Sequence, residues 1–440
     1  MPAMHGLPTG AANHPLPGYG ARLVLAIAGA CVACESRDVQ VNAPKARDAF
    51  ANYVAIGSDI SMGVQSGGVL YSSQQQAWPV LLARMVGADF SVPLLRSPGC
   101  LPPLIAPLGL GRLLSGATAS QPDSSCAGAL GTSLPPLNNL ALAGATAGTA
   151  LTVTPRTVAA SPSAFDAGDR GRYPIVLAPT QSQVSALLVK GASFVSIEFG
   201  LAEVLRAATS GLLVPAASYS QASPWTYVPA AVFNPAYAAV ADSVKKSGAR
   251  VVLLSVPHVT RLAAMRPATE LWSARTALST YGVTVASDCN GSPNLVFTGS
   301  TVAKLAQGAL TAGSPQVLSC ADVGGAVDAV LTPADVTTLN AVVDQMNVQL
   351  RQLATTNGWA FADVDAVFAQ FVATRAPYSA SEQLACVYPY GAWVSLDGAH
   401  PNLAGQQAIA NAVATAVNTT YGMDIPVPAA RPVTGIQLCP

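Results

Sequence analysis

Four short runs of apolar and β-branched residues stand out along the chain, because their apolar positions follow one another without alternation. Such runs are typical of parallel strands that are buried on both faces. Turn or helix signals follow each run. The predicted strands cover residues 53–56, 194–199, 250–256 and 359–364.

Helical stretches separate these runs. The clearest covers 333–355, where Thr332 is placed to cap the first turn, Pro333 takes the first helical position and Asp335 lies in the first turn. Each of these choices stabilises a helix N-terminus. The other helices are predicted at 74–85, 180–189 and 237–246. Strands that alternate with helices predict an α/β protein, a three-layer α/β/α sandwich around a doubly wound parallel sheet.

Two long stretches interrupt this alternation. Residues 96–180 are rich in Pro, Gly, Ser, Ala and Leu and are predicted to be mostly loop, and a second irregular stretch covers about 257–330. Loops of this length in a compact domain usually serve as lids or partner surfaces. We therefore expect one domain over 35–430 with two loop insertions, followed by a short tail at 431–440.

The N-terminal region carries an apolar run, 23–33, that follows Arg22. It is shorter than the ~20 apolar residues of a membrane-spanning helix, so it predicts a signal peptide or lipoprotein signal over 1–34. Cys34, or alternatively Cys31, is the candidate for lipid modification, although neither follows the usual Leu at the third position before it. A buried core segment is the alternative interpretation. We expect a protein that is secreted, periplasmic or lipid-anchored at the bacterial cell envelope.

Composition narrows the classes of function. The chain is 51% hydrophobic and 10% charged, so it can bury a large core. Its 22 Lys and Arg residues balance 22 Asp and Glu residues, and no basic stripe with interleaved aromatic residues is present. Nucleic acid is therefore not an expected partner.

Six cysteines follow the predicted signal, and an even number in an exported chain favours disulfides. Proximity in sequence predicts three pairs: Cys100–Cys126, Cys289–Cys320 and Cys386–Cys439. We expect no metal site or other cofactor, because no close cysteine pair follows Cys34 and the four histidines are scattered.

An Asp–x–x–His motif near the C-terminus is the first candidate for catalysis. Asp397 lies three residues before His400, on a turn that precedes a helix-like run at 403–418. A carboxylate at this spacing can orient an imidazole ring and stabilise its protonated form, as in a hydrolytic triad. Such pairs also occur as ordinary turns and caps, so the spacing alone is not specific.

Four segments, taken in order, resemble the SGNH or GDSL-type hydrolases: 52–63, 139–146, 195–203 and 397–400. In that family the first strand ends in a Gly-Asp-Ser turn that presents a nucleophilic serine. A glycine of the second block and an asparagine of the third donate to the oxyanion. The resemblance spans 52–420 and implies the flavodoxin-like SGNH hydrolase fold, with a site at the carboxyl edge of the sheet. It also implies a carboxylic ester substrate, either a lipid-like or small-molecule acyl ester or an acylated glycan, with long apolar loops weakly favouring a hydrophobic acyl group.

The chain departs from the family pattern at two positions. In the alignment set by the glycines of the first turn, Asp59 stands where the nucleophilic serine belongs, and Ser58 precedes it. In the third block, Ala202 stands where the asparagine belongs. The resemblance then implies His400 as base with Asp397 orienting it. Its oxyanion hole would consist of the Gly144 and Asp59 backbone N–H groups and the Ala202 position.

Three routes to chemistry stay open. Ser58 could replace the missing nucleophile if the backbone shifts. Asp59 could attack the substrate itself, with His400 activating a water to release the intermediate. Finally, an Asp59–His400 ion pair could activate water directly. The alternative is a catalytically silent binding or surface protein that keeps the pocket, because losing a nucleophile costs several orders of magnitude in rate.

Other conspicuous residues have ordinary structural interpretations. His258 is predicted to be a hydrogen-bonded loop histidine and Glu203 a helix-start carboxylate. Trp225, Trp272 and Trp359 are predicted to pack in the core, and Trp393 either packs or lines a substrate site.

Overall fold

A four-stranded parallel β-sheet forms the centre of this computed structural model, which describes residues 45–119, 125–131, 137–220 and 224–433. Its strands are β1 (Tyr53–Gly57), β2 (Phe194–Glu198), β3 (Arg250–Leu254) and β4 (Ala360–Ala362). They lie side by side in sequence order, and every pair is parallel. The described residues belong to one unit, Asn42–Pro440.

The extended segment 138–142 lies along the other edge of β1. The N–H of Ala55 donates to the Asn138 carbonyl at 2.9 Å, and the N–H of Leu140 donates to the Ala55 carbonyl at 2.8 Å. The pairing is parallel, so the segment 138–142 and β2 lie on opposite sides of β1. The order reverses at β1, so the sheet is doubly wound, as predicted.

Helices cover both faces of the sheet, which explains why every residue of β1 and β2 is buried. One group consists of Trp78–Val86, Val364–Ala373 and Leu403–Tyr421; the other contains Ala147–Thr152, Gln183–Lys190, Ala230–Lys245 and Pro333–Asn357. The α/β/α class predicted from the sequence is confirmed.

Shorter elements surround this framework. The further helices are Lys45–Ala49, Asp59–Met62, Tyr71–Gln74, Pro155–Ala160, Ala167–Val176, Leu201–Ser210, Ala268–Ser273, Arg275–Ser279, Thr298–Ala312 and Ala380–Ala385. Leu104–Ile105 pairs with Arg112–Leu113, Val283–Val285 pairs with Gln316–Leu318, and Leu295–Phe297 pairs with both Met265–Pro267 and Val330–Leu331. Within the described residues, no helix is long and apolar enough to cross a membrane.

The predicted strands and helices are present with shifted ends. Asp363 ends the fourth strand early, because its side chain accepts from the Ala366 N–H and starts a helix at Val364. The helix predicted at 74–85 is split. One helix ends at Gln74, and a new one begins at Trp78 with Pro79 in its first turn. At Pro333–Asn357 the Thr332 side chain accepts from the Asp335 N–H, which confirms the predicted cap.

The two stretches predicted to be mostly loop contain helices, and that part of the prediction is wrong. Ala167–Val176 is helical although it contains two glycines and a proline. Gly171 lies so close to Cys126 Sγ that a Cβ would not fit, and Gly168 leaves room for the Arg172 guanidinium. These glycines allow close packing rather than chain flexibility. In the second stretch, Thr298–Ala312 is likewise helical.

Two of the predicted disulfides are present, Cys100–Cys126 and Cys289–Cys320. Cys386 is also disulfide-bonded, but its predicted partner Cys439 lies outside the described residues. The predicted signal at 1–34, with Cys31 and Cys34, lies outside them as well.

Candidate active site

The turn after β1 places Asp59 at the carboxyl edge of the sheet. The chain passes so close to β2 that a Cβ on Gly57 would lie 2.8 Å from the Glu198 carbonyl oxygen and 2.9 Å from Ser61 Oγ. Only glycine fits this crossing. The backbone then enters the short helix Asp59–Met62, whose first residue is Asp59.

The turn at 395–400 holds the His400 ring through Asp397. Asp397 Oδ2 lies 2.9 Å from His400 Nδ1, and Oδ1 accepts from the backbone N–H groups of Ala399 at 2.9 Å and His400 at 2.8 Å. The N–H of Gly67 donates to Oδ2 at 2.7 Å. Burial alone would raise the pKa of Asp397, but the His400 ring and these donors lower it below its usual value. Asp397 is thus a fixed, charged acceptor for Nδ1–H.

Side chains of the closing helix join this turn to the end of β1. Gln406 Oε1 accepts from the Trp78 N–H at 2.9 Å, and Gln406 Nε2 donates to the Ile60 carbonyl at 3.3 Å. In the loop after Asp59, the N–H of Ser66 donates to Ser395 Oγ at 2.9 Å. As a result, His400 Nε2 lies 4.0 Å from Asp59 Oδ1 although the two residues are far apart in sequence.

The His400 ring is buried between carboxylates. Burial favours its neutral form, but Asp397 and then Asp59 outweigh this effect and raise the pKa of His400 to about 9, with the smallest contribution from Glu198 once that group ionises. At neutral pH the ring is therefore protonated. Within the described residues, the buried Nε2 atom has no hydrogen-bond partner.

The Asp59 carboxylate is held on both oxygens. Oδ1 accepts from the Gly144 N–H at 3.1 Å, and Oδ2 accepts from the Ser58 hydroxyl at 2.8 Å. The backbone donor that the family resemblance assigns to an oxyanion is thus occupied by Asp59 itself. Ser58 is fully buried, and its use as a nucleophile would require this bond to break.

Glu198 lies beneath the turn and was not predicted as a site residue. Its Oε2 accepts from the backbone N–H groups of Ser58 and Ser61, both at 3.1 Å. Burial and the nearby Asp59 charge raise the pKa of Glu198 to about 8, against the lowering effect of these bonds. Glu198 is therefore a neutral acid at pH 7. A charged residue inside the apolar run 194–199 is the sequence signal that could have identified it.

A cavity of about 410 Å³ opens beside Asp59. Gly144 and Ala202 line it, and Ala202 has only a methyl group where the resemblance implies an amide donor. Seven of the twelve lining residues carry polar or charged side chains: Asp59, Thr146, Asp166, Asp169, Arg172, Arg206 and Thr209. The cavity is therefore polar, and Asp166, Asp169 and Arg172 line it although they belong to a stretch predicted to be mostly loop.

Arg172 fixes the wall of this cavity. Its side chain is buried and donates to the Cys100 carbonyl at 3.2 Å, to the Ala143 carbonyl at 3.4 Å and to Asp169 Oδ1 at 3.2 Å. It therefore ties the first disulfide to the segment that precedes Gly144.

The residues with structural interpretations have largely the predicted contacts. His258 lies 3.0 Å from Asp344 and 2.9 Å from Asp365, as a hydrogen-bonded loop histidine. Glu203 accepts from the Gly200 N–H at 2.9 Å at the start of its helix. Trp393 stacks on Phe371. Trp225 packs only partly, since it also lines the cavity.

No protein-family model matches the sequence, and no curated protein matches it. Three solved structures to which the chain is similar are enzymes. One is an α/β hydrolase enzyme from the metagenome of Lake Arreo in Spain, at 14% identity over 83% of this chain and 94% of that chain, with a TM-score of 0.34. The second is an acetylxylan esterase from Geobacillus stearothermophilus, at 11% identity over 83% and 93%, with a TM-score of 0.34. An extracellular lipase from Streptomyces rimosus gives 17% identity over 83% and 98%, with a TM-score of 0.35. Likenesses at this level carry no functional inference, so any assignment depends on the geometry of the site.

Proposed function

We propose that this protein is a carboxylic ester hydrolase of the SGNH type whose turnover is slow because Asp59 replaces the nucleophilic serine. The observation that supports this function most is the line Asp397–His400–Asp59, of which Asp59 lines the cavity. His400 is oriented on one side at 2.9 Å and faces Asp59 Oδ1 at 4.0 Å on the other.

The protonated state of the His400 ring favours the direct use of water among the three routes. The Asp59 carboxylate takes a proton from a water molecule as the water oxygen attacks the acyl carbon. When the tetrahedral intermediate collapses, His400 Nε2–H protonates the leaving alcohol oxygen, and the proton on Asp59 then returns to His400. Attack by Asp59 itself on an ester would instead give a reactive mixed anhydride, which is a poor route.

The expected rate is low. Enzymes that lack a triad member keep roughly 10³–10⁴-fold catalysis over water through the oxyanion hole and substrate binding. Here the Gly144 N–H must exchange Asp59 Oδ1 for the substrate oxyanion, and Ala202 offers no side-chain donor.

The hydrogen bond from the Gly144 N–H to Asp59 Oδ1 also favours a second candidate function. This is a silent pocket that binds a ligand without hydrolysing it. If Asp59 stays on the Gly144 N–H, the site cannot stabilise an oxyanion there. The pocket would then bind a ligand and release it unchanged.

Hydrolysis of p-nitrophenyl acetate and p-nitrophenyl butyrate separates the two candidates. The parent protein is compared with Asp59→Ser, with His400→Ala, and with His258→Gln as a histidine control that does not line the cavity, each checked for folding by circular dichroism. Activity that is lost in His400→Ala and kept in His258→Gln supports the hydrolase. If the parent is no more active than His400→Ala and Asp59→Ser gains activity, the hydrolase proposal is wrong and the silent pocket is supported.

We also propose that the chain is exported, because disulfides persist in oxidising compartments and the described residues contain two of them. Lipid attachment at Cys34 stays a prediction. Fractionation of the producing cell, with mass spectrometry of the mature N-terminus, tests both.

A further inference from the structure

The helix Leu201–Ser210 forms one wall of the cavity beside Asp59. Ala202, Leu205, Arg206 and Thr209 face the cavity at helical spacing. From Ala202 to Thr209 the helix rises by about 10 Å, so the wall extends from Ala202 well beyond the acyl group of a short ester. The outer part of the cavity therefore contacts the rest of the substrate.

Two side chains of this outer part are suited to ligand contact. Arg206 is exposed and also lines the adjoining cavity of about 170 Å³. Within the described residues Arg206 makes no ion pair. Trp225 is half-buried, and its indole N–H donates to the Ser220 carbonyl at 2.9 Å. Trp225 lines both cavities, and an indole ring is a largely apolar surface for a ligand.

We infer that the cavity beside Asp59 binds an acylated carbohydrate, with a sugar ring against Trp225 and sugar hydroxyls on Arg206 and Asp166. This inference rests on the proposed function, because the acyl ester has to reach Asp59 and His400. It selects one of the two substrate classes implied by the sequence.

The lining disfavours a lipid ester. A long acyl chain in this cavity would cover the exposed Asp166 and Arg206 side chains without giving them new hydrogen bonds, and taking charged groups out of water in this way is costly. Sugar hydroxyls both donate and accept, so they can satisfy a carboxylate and a guanidinium side by side. The apolar face of a pyranose ring suits an indole surface.

Binding is measured by isothermal titration calorimetry in the His400→Ala background, which prevents turnover. The probes are a mono-O-acetylated disaccharide and p-nitrophenyl octanoate. We expect Trp225→Ala to raise the Kd for the disaccharide about tenfold and Arg206→Gln to raise it several-fold. Trp225→Phe keeps an aromatic face and should restore most of the binding. The matched controls are Trp272→Ala and Arg275→Gln, a tryptophan and an arginine stacked on each other outside the cavity.

The inference is overturned if the disaccharide fails to bind at millimolar concentration, if Trp225→Ala leaves its Kd unchanged, or if the octanoate ester binds more tightly in a Trp225-dependent way. Its failure is distinct from failure of the proposed function. Trp225-dependent sugar binding without any hydrolysis would contradict only the proposed hydrolase function. His400-dependent hydrolysis without sugar binding would contradict only the inference about the carbohydrate.

Discussion

Gly144 donates its backbone N–H to Asp59 Oδ1 at 3.1 Å. A tetrahedral oxyanion would need the same donor, so the Asp59 side chain competes with the transition state for it. In the proposed hydrolysis this competition adds to the effect of losing the serine nucleophile.

His400 should lose part of its charge stabilisation when Asp59 is neutralised. In Asp59→Asn the pKa of His400 should fall from about 9, and in Asp397→Asn it should fall further, because Asp397 is the stronger of the two influences. NMR titration of the imidazole C–H signals measures both, with His258 in the same spectrum as reference. An unchanged pKa in Asp59→Asn would contradict the ion pair.

The same titration has a consequence for stability. The folded pKa of His400, about 9, is above the ordinary value of 6.5. Its contribution is therefore complete below pH 6.5 and is lost as pH rises through about 9. The difference in free energy of unfolding between the parent and His400→Gln should shrink between pH 6.5 and 9.5, as measured by urea denaturation.

Glu198 should act as a neutral support for the Asp59 turn. Its folded pKa of about 8 is above the ordinary 4.5, so its contribution to stability is present at low pH and is lost as pH rises through 8. Glu198→Gln keeps a carbonyl for the Ser58 and Ser61 N–H groups and should gain stability relative to the parent above pH 8. Glu198→Ala leaves two buried N–H groups without an acceptor, at about 1–3 kcal/mol each.

Urea denaturation at pH 6 and pH 9 tests this support. Equal pH dependence in the parent and in Glu198→Gln would mean that Glu198 does not titrate in this range.

Arg172 should matter more for stability than an exposed arginine does. Arg172→Met leaves the largely buried Asp169 carboxylate without its partner at 3.2 Å, and breaking a buried pair in this way costs about 3–5 kcal/mol. Adding Asp169→Asn should recover part of the loss. Arg275→Met is the exposed control and should stay within about 0.5 kcal/mol. A loss in Arg172→Met no larger than in this control would show that Arg172 does not hold the wall.

The central parallel sheet was predictable from the sequence because parallel strands buried on both faces consist of continuous apolar runs. The adjacency of the strand-one turn and the 397–400 turn followed from the family resemblance and from the rule that strand ends share one edge. Contacts such as Gln406 to Ile60, which maintain that adjacency, have no signature in local sequence.

The cavity wall was missed for a physical reason. Gly168 and Gly171 resemble loop residues in sequence, yet they permit a helix to pack against Arg172 and Cys126. Helix propensity measures the free-energy cost of a residue in an isolated helix. It does not include the close packing of a neighbouring side chain against a glycine. The Gly144–Asp59 hydrogen bond was not predicted either. It depends on the Asp59 side chain, which departs from the family pattern.

The link from the Cys100–Cys126 disulfide through Arg172 to Ala143 makes the redox history of a sample part of its enzymology. Protein produced in a reducing cytosol would keep the sheet and the Asp397–His400 pair, but the wall that carries Gly144 would be loosened. Assays of the proposed hydrolysis should therefore use protein in which the Cys100–Cys126 disulfide is formed.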